Sequence, residues 1–200
     1  MSRLKNKIIP FIPIPIIKLI KTIKRLHVVK HRPSLKNVRF QDDSILKCMI
    51  GYNQYGGYCL PFNSKHRPAV QKIFKGKIHE PDTINFIISH CQKGDVVHAG
   101  TFFGDFLPPI SKALEKNAKL WAFEPNYENY LCSKITVLIN SLDNVKLHNA
   151  GVGNTNSSHK MLIKNDKGKY LGGGSRIIQN PEKEGTINVQ TVCLDNLIPE

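Results

Sequence analysis

The stretch "GDVVHAGTFFGDF", residues 94–106, runs an apolar strand straight into a glycine turn. Val96, Val97 and Ala99 mark a short strand of the kind buried in parallel sheets. Gly100 and Gly104 then flank Thr101, Phe102 and Phe103, and "DFLPPISKALEKN" follows as a helix. Pro108 and Pro109 fit only its first turn, where missing N–H groups leave no bond unmade. Ile110, Ala113 and Leu114 supply its buried face. "AKLWAF" is a second strand, ending at Glu124, Pro125 and Asn126. "NYENYLCSKITVLINSL" is a second helix, with Tyr130, Ile135, Leu138 and Ile139 expected to pack, and "NVKLHNAGVGN" a third strand with its exit loop. Strand, helix, strand, helix, strand predicts an α/β fold: a Rossmann-like, doubly wound, mostly parallel sheet with right-handed crossovers. Upstream, "EPDTINFIISHC" reads as a helix capped by Asp82, with Ile84, Ile87, Ile88 and Cys91 on one face.

Ligands of such sheets bind outside the carboxyl ends of the strands. Gly100 ends the first strand and Glu124 the second, so the two tips are expected side by side. A glycine lets a ligand lie close to the backbone, and a carboxylate one strand over can accept from both ribose hydroxyls. That pair suits an adenosine-type cofactor. A dinucleotide site needs G-x-G-x-x-G for its pyrophosphate. Here the spacing is G-x-x-x-G, with bulky Phe102 and Phe103 and an anion, Asp105, where a phosphate would seek N–H groups. S-adenosylmethionine carries no phosphate and has a sulfonium cation, so a glycine turn with nearby acids suits it better. The competing structural reading is a plain strand–turn–helix whose glycines serve only the turn.

"GDVVHAGTFFGDF", "AFEPNYENY", "VLINSLDNVKLHNAGVGN", "GGGSRI" and "VQTVCLDNLI", in that order, cover about residues 80–198. Together they resemble the FkbM-type S-adenosylmethionine-dependent methyltransferases. The resemblance implies a class I methyltransferase fold and O-methylation, often of sugar hydroxyls in glycans or of small metabolites. By position, Gly100 and Gly104 match the cofactor loop and Glu124 the ribose-binding acid. Ala150 and Gly151 would lie near the adenine, and Asn140 matches a recurring helix-end asparagine. Thr101 and Asp105 join the expected cofactor-binding set as members of the same turn. Where the family opens this motif with Asp, this chain has His98. Three readings of that exchange stand open. Asp105 replaces the acid, His98 holds the methionine end through a water, or His98 is a structural histidine. His98 is also a candidate general base; the alternative places the base beyond residue 200. The family continues into a fourth parallel strand with an acidic end, so a domain truncated at its C-terminus, with an open sheet edge, is expected.

The rest of the chain frames this reading. The net charge of +14 is uneven: residues 1–39 hold eleven Lys or Arg and no acid, leaving 18 basic against 15 acidic residues elsewhere. This basic N-terminal arm (1–39) precedes a loop-rich lead-in (40–79) and the methyltransferase part (80–200). The uninterrupted apolar run of the arm, residues 8–17, falls short of the roughly 20 residues that span a bilayer. No small-residue cleavage site follows it, so secretion is not expected. Ile16, Leu19, Ile20 and Ile23 share one helical face and Lys18, Lys21 and Arg25 another. Three readings are open: packing on the domain or another subunit, contact with an anionic membrane surface, or a loose tail. No Phe, Tyr or Trp interleaves the charges between Lys18 and Arg39, so nucleic acid is not an expected partner.

In the lead-in, "GYNQYGGYCLPFNSKHRP" reads as loops and short strands, with His66, Arg67 and His79 as surface polar residues. The five cysteines, with no CxxC, read as buried free thiols of a reducing compartment, and no metal site is expected. The expected location is cytoplasmic, with membrane association through the arm as the open variant. Residues 159–178 with "TINVQTV" read as an inserted β-hairpin region, and Gly172–Gly174 as a flexible loop, either gating substrate or simply turning the hairpin.

The leading expectation is thus an S-adenosylmethionine-dependent O-methyltransferase acting on a sugar or small-molecule hydroxyl. Two alternatives stand beside it: a non-enzymatic membrane-surface or scaffold protein with a truncated cofactor domain, and an NAD-binding Rossmann enzyme.

Overall fold

The structure is a computed structural model that describes residues 45–91, 93–179 and 182–198. All belong to one compact unit, Asp42–Glu200. The readings of the N-terminal arm fall outside the described residues. Among the described residues no helix is long and apolar enough to cross a membrane.

The chain opens with an antiparallel hairpin, β1 (Cys48–Asn53) and β2 (Gly56–Pro61). A seven-residue helix, α1 (Pro68–Phe74), packs against it, with Pro68 at its start. So the lead-in carries a strand pair and a short helix. Next comes α2 (Pro81–His90). Asp82 does not cap it: the N-cap is Glu80, held in a left-handed conformation (φ 48°) with no side-chain cap bond, and Asp82 sits in the first turn. The reason is Pro81, whose fixed φ favours the first helical position and moves the start two residues earlier.

β3 (Val96–Ala99), β4 (Leu120–Phe123) and β5 (Val145–His148) form a parallel sheet in that order. α3 (Leu107–Ala113) and α4 (Tyr127–Asn140) make the two crossovers. The protein is therefore a mixed α/β chain built on a parallel sheet. One apolar cluster joins Ile84 of α2, Leu107 and Ile110 of α3, and Leu120 and Ala122 of β4, with Ile87, Ile88, Cys91 and Val137 packed around it. That cluster covers one face of the sheet. On the other face Val97 is 44% exposed and Ala99 is exposed too, so a helical layer on both faces is not what the described residues form.

The C-terminal part forms a second sheet, from β6 (Gly151–Val152), β7 (Ser157–Leu162), β8 (Arg176–Ile178) and β9 (Thr186–Val192). Its order is β6-β9-β7-β8, parallel only between β6 and β9. Gly172–Gly174 is a 3-10 turn. It is pressed between two side chains: a Cβ on Gly172 would lie 2.9 Å from Phe102 Cζ and 3.0 Å from Arg67 Cγ.

α4 keeps part of its expected face, with Ile135 packed on an apolar cluster of Tyr58, Leu60, Phe103 and Cys132, and departs from it elsewhere. It buries Asn129, Leu131, Cys132, Ser133 and Thr136, while Ile139 is 41% exposed. The cause is the free edge of β2. Cys59 N–H donates to Thr136 Oγ1 (3.0 Å), and Gly57 N–H to Asn140 Oδ1 (3.0 Å). Asn140 Nδ2 donates back to Gly57 O (2.6 Å). Four helical residues rise about 6 Å and two strand residues about 6.6 Å, so an i, i+4 pair on a helix matches alternate N–H groups of a strand. Thr136 and Asn140 thus occupy the position of a third strand, satisfying an edge that would otherwise be open. Gly56 is required there, because a Cβ would lie 1.8 Å from Asn140 Oδ1.

All five cysteines are free; Cys59 and Cys132 are buried, but Cys48 is exposed. Cys48 falls on the outward side of β1 with Ile50 and Tyr52, which is why it departs from the expected burial.

Candidate functional site

The tips of β3 and β4 are tied directly together. Gly100 N–H and Thr101 N–H both donate to Phe123 O (2.8 and 3.0 Å). Gly100 has φ +82°, a conformation that favours glycine, and a Cβ there would meet nothing within 4 Å. Open space therefore adjoins its backbone.

Glu124 stands one strand over and is 3% exposed. Its Oε2 accepts from Phe102 N–H (2.8 Å) and its Oε1 from Asn126 N–H (2.9 Å). The carboxylate thus braces the glycine turn from the neighbouring strand. Phe102 needs that brace, because its φ of 55° is unusual for a bulky residue. Ser133 Oγ adds a second one by donating to Phe102 O (2.8 Å). Burial raises Glu124 to about 7 against the lowering effect of the two backbone N–H groups. The Asn129 side chain is a third hydrogen-bond partner, so about one of the four acceptor lone pairs of the carboxylate remains.

A crevice of about 180 Å³ lies beside these tips. Gly100, Glu124, Pro125 and Gly151 form one wall, and Gly172, Gly173, Ser175 and Arg176 stand among the residues of the other. Of the expected cofactor-binding set, Gly100, Glu124 and Gly151 therefore meet in one place, with Ala150 buried next to Gly151.

The others are placed elsewhere. Thr101 is fully buried with its hydroxyl 3.2 Å from Ser133 Oγ. Gly104 (φ +82°) serves the turn itself, with a Cβ position 3.0 Å from Leu107 Cδ1. Asp105 is raised to about 7, by burial first and by the charge of Glu80 as a lesser cause. His98 stacks on Phe106 (5.4 Å between ring centres), on the sheet face covered by helices, and is not among the residues lining the crevice. Burial depresses its pKa to about 4, and its Nδ1 is buried without a partner. Asn140, whose role the sequence left open, holds the edge of β2.

Arg67 and His79 had read as surface residues; they line a second cavity instead, as does Glu80. One signal was available: "HRP" at residues 66–68 and "HEP" at 79–81 each set a histidine and a charged residue before a helix-opening proline. Among the described residues no group of three His, Cys, Asp or Glu side chains could hold a metal ion.

Compared with family models, curated proteins and solved structures, the chain matches none.

Proposed function

We propose that the protein is an S-adenosylmethionine-dependent methyltransferase of the FkbM type, built on a class I, Rossmann-like domain, that methylates a hydroxyl on a sugar or small metabolite. One observation carries this reading. An open, side-chain-free backbone at Gly100 and the Glu124 carboxylate meet at adjacent tips of a parallel sheet and wall the same crevice. The residues fit the nucleoside end of the donor. Gly100 gives it room, Glu124 offers its remaining lone pair to a ribose hydroxyl, and Gly151 leaves space toward the base. The donor supplies an electrophilic methyl carbon on a sulfonium. Transfer forms a C–O bond to the acceptor, leaves the C–S electron pair on sulfur and releases the hydroxyl proton. The chain's part is alignment, which can account for much of the lowered barrier.

The crevice volume, about 180 Å³, is below the ~300–1,000 Å³ usual for ligand pockets. Seating the whole donor therefore requires the Gly172–Gly174 turn and Arg176 to move outward. The same small volume favours a second reading, a scaffold protein whose cofactor domain no longer binds.

Equilibrium dialysis of the full chain with labelled S-adenosylmethionine separates the two. Binding is expected in the parent protein and a loss of at least about ten-fold in Glu124→Gln, which weakens one charge-assisted hydrogen-bond acceptor. Absence of binding by the parent protein would favour the scaffold. Undiminished binding by a folded Glu124→Gln protein would remove Glu124 from the site.

A further inference from the structure

A second cavity, of about 340 Å³, borders the same Gly172–Gly174 turn as the crevice. It is lined by Arg67, Pro68, Ala69, His79, Glu80, Phe102, Gly173 and Gly174, and it shares Gly173 with the crevice. Its volume falls within the ~300–1,000 Å³ of ordinary ligand sites.

Its polar groups are unusual in what they leave unused. The half-buried Arg67 guanidinium has no carboxylate within salt-bridge distance among the described residues, and its Nη2 runs along the turn, 3.4 Å from a Cβ position on Gly174. His79 Nδ1 is buried with no hydrogen-bond partner, while its Nε2 lies 3.4 Å from Glu80 Oε1. Burial lowers the pKa of His79, so its ring is neutral near pH 7. Glu80 holds a left-handed φ of 48° and Phe102 a φ of 55°, so two of the three non-glycine residues with positive φ among the described residues border this one cavity. Such strain persists only where the surroundings enforce it, and it concentrates at functional sites. The corner is also tied down: His66 Nε2 donates to Tyr170 O (2.9 Å), which draws the segment before the glycine turn over Arg67.

The contents of the cavity define a ligand. An unpaired guanidinium recognises carboxylate or phosphate by paired, charge-assisted bonds. A carboxylate and a neutral imidazole beside it accept from hydroxyls and repel a second anion. We infer that this cavity seats the methyl acceptor as a hydroxylated anion, a sugar acid or a sugar phosphate, with Arg67 on the anionic group and Glu80 and His79 on the hydroxyls. This rests on the methyl-donor reading of the adjoining crevice. Phe102 connects the two: its N–H is held by Glu124 and its ring faces the second cavity.

Isothermal titration of the full chain without donor tests it, using glucuronate, glucose 6-phosphate, glucose and inorganic phosphate as probes. At least one anionic sugar is expected to bind, and glucose about ten-fold or more weakly, as one lost charge-assisted pair implies. Which of glucuronate and glucose 6-phosphate binds tells carboxylate from phosphate. Arg67→Gln is expected to weaken the anionic sugar by about the same factor, and Arg67→Lys to restore part of it. Glu80→Gln should weaken the sugars and spare inorganic phosphate. Binding of glucose as tight as that of the anionic sugars, no response to Arg67→Gln, or no binding of either anionic sugar would each overturn the inference. Labelled S-adenosylmethionine binding is expected to survive Arg67→Gln. Its loss would assign Arg67 to the donor and sink this inference while leaving the donor reading intact.

Discussion

α3 and α4 both connect neighbouring parallel strands, yet they are held by different physics. α3 is short and buries Leu107 and Ile110 in an apolar cluster, and of its five buried residues, which include Pro108 and Pro109, only Ser111 is polar. α4 is twice as long (14 residues against 7), and three of its five buried residues are polar: Asn129, Ser133 and Thr136. Apolar burial is non-directional and roughly proportional to area, so α3 rests on the sheet with a directional tie between Ser111 and Asn144: Ser111 Oγ donates to Asn144 Oδ1 and Asn144 Nδ2 donates to Ser111 O (2.9 Å). Hydrogen bonds are directional. Through Ser133, Thr136 and Asn140, α4 is locked onto Phe102, Phe103, Cys59 and Gly57. The difference concerns function, because the strained turn bordering the crevice is fastened to the polar seam of α4, and the apolar cluster supplies the floor beneath it.

The apolar side should show the largest effect. Ile110 is fully buried, and truncating such a residue to alanine costs about 2–5 kcal/mol through lost transfer energy and the cavity left behind. Urea unfolding of Ile110→Ala is expected to show that loss with an unchanged slope. A loss under about 1 kcal/mol would mean that the cluster closes over the gap, and α3 would then be less well packed than its burial implies.

His98 and Glu124, near the starts of the two helices, respond oppositely to pH. His98, under the start of α3, has a folded pKa of about 4 against an ordinary 6.5. The unfolded chain then binds more protons between those values, so stability falls as pH drops through that window. Glu124, at the start of the α4 segment, is raised from 4.5 to about 7. Here the folded chain binds more protons, so stability falls as pH rises from 4.5 to 7, and Asp105, raised from 3.8 to about 7, acts in the same direction. Each shift corresponds to on the order of 3–4 kcal/mol, and the opposing signs flatten the wild-type profile. His98→Phe removes one side. Its melting temperature is expected to fall more steeply than that of the parent between pH 5 and 7. Parallel profiles would show that His98 titrates normally.

What the sequence revealed follows the same division. The stripe Ile84, Ile87, Ile88 and Cys91 and the proline-opened α3 were legible, because apolar periodicity reports apolar burial. So was the approach of Gly100 to Glu124, because adjacent parallel strands must bring their tips together. α4 was misread in part, for the converse reason. Of Tyr130, Ile135, Leu138 and Ile139, which look like its packing face, Ile135 does pack on an apolar cluster, but the helix also meets a strand edge that needs donors and acceptors, and Thr136 and Asn140 supply them. Glu124 was recognised as a crevice acid, while its grip on Phe102 N–H depends on a left-handed residue that no local pattern announces. Arg67, His79 and Glu80 are separated in sequence from the glycine turn, and only the packing of Gly172–Gly174 against Phe102 brings them beside it.

Thr136 gives the sharpest test of the polar seam, with the smallest expected effect. Its hydroxyl donates to Phe103 O and accepts from Cys59 N–H, both at 3.0 Å, and it is fully buried. Thr136→Val keeps the shape and removes both bonds. A buried N–H and a buried C=O are then left unpaired, at a cost of about 1–3 kcal/mol, partly offset by the better solvation match of a methyl group in an apolar site. Urea unfolding measures the loss, and hydrogen exchange at Cys59 N–H locates it. Exchange at that amide should quicken by more than the amides of α3, which should quicken only in proportion to the loss of global stability. If Cys59 N–H stays as protected as before, the edge of β2 has another partner and α4 is held by its apolar residues after all. The contrast with α3 would then disappear.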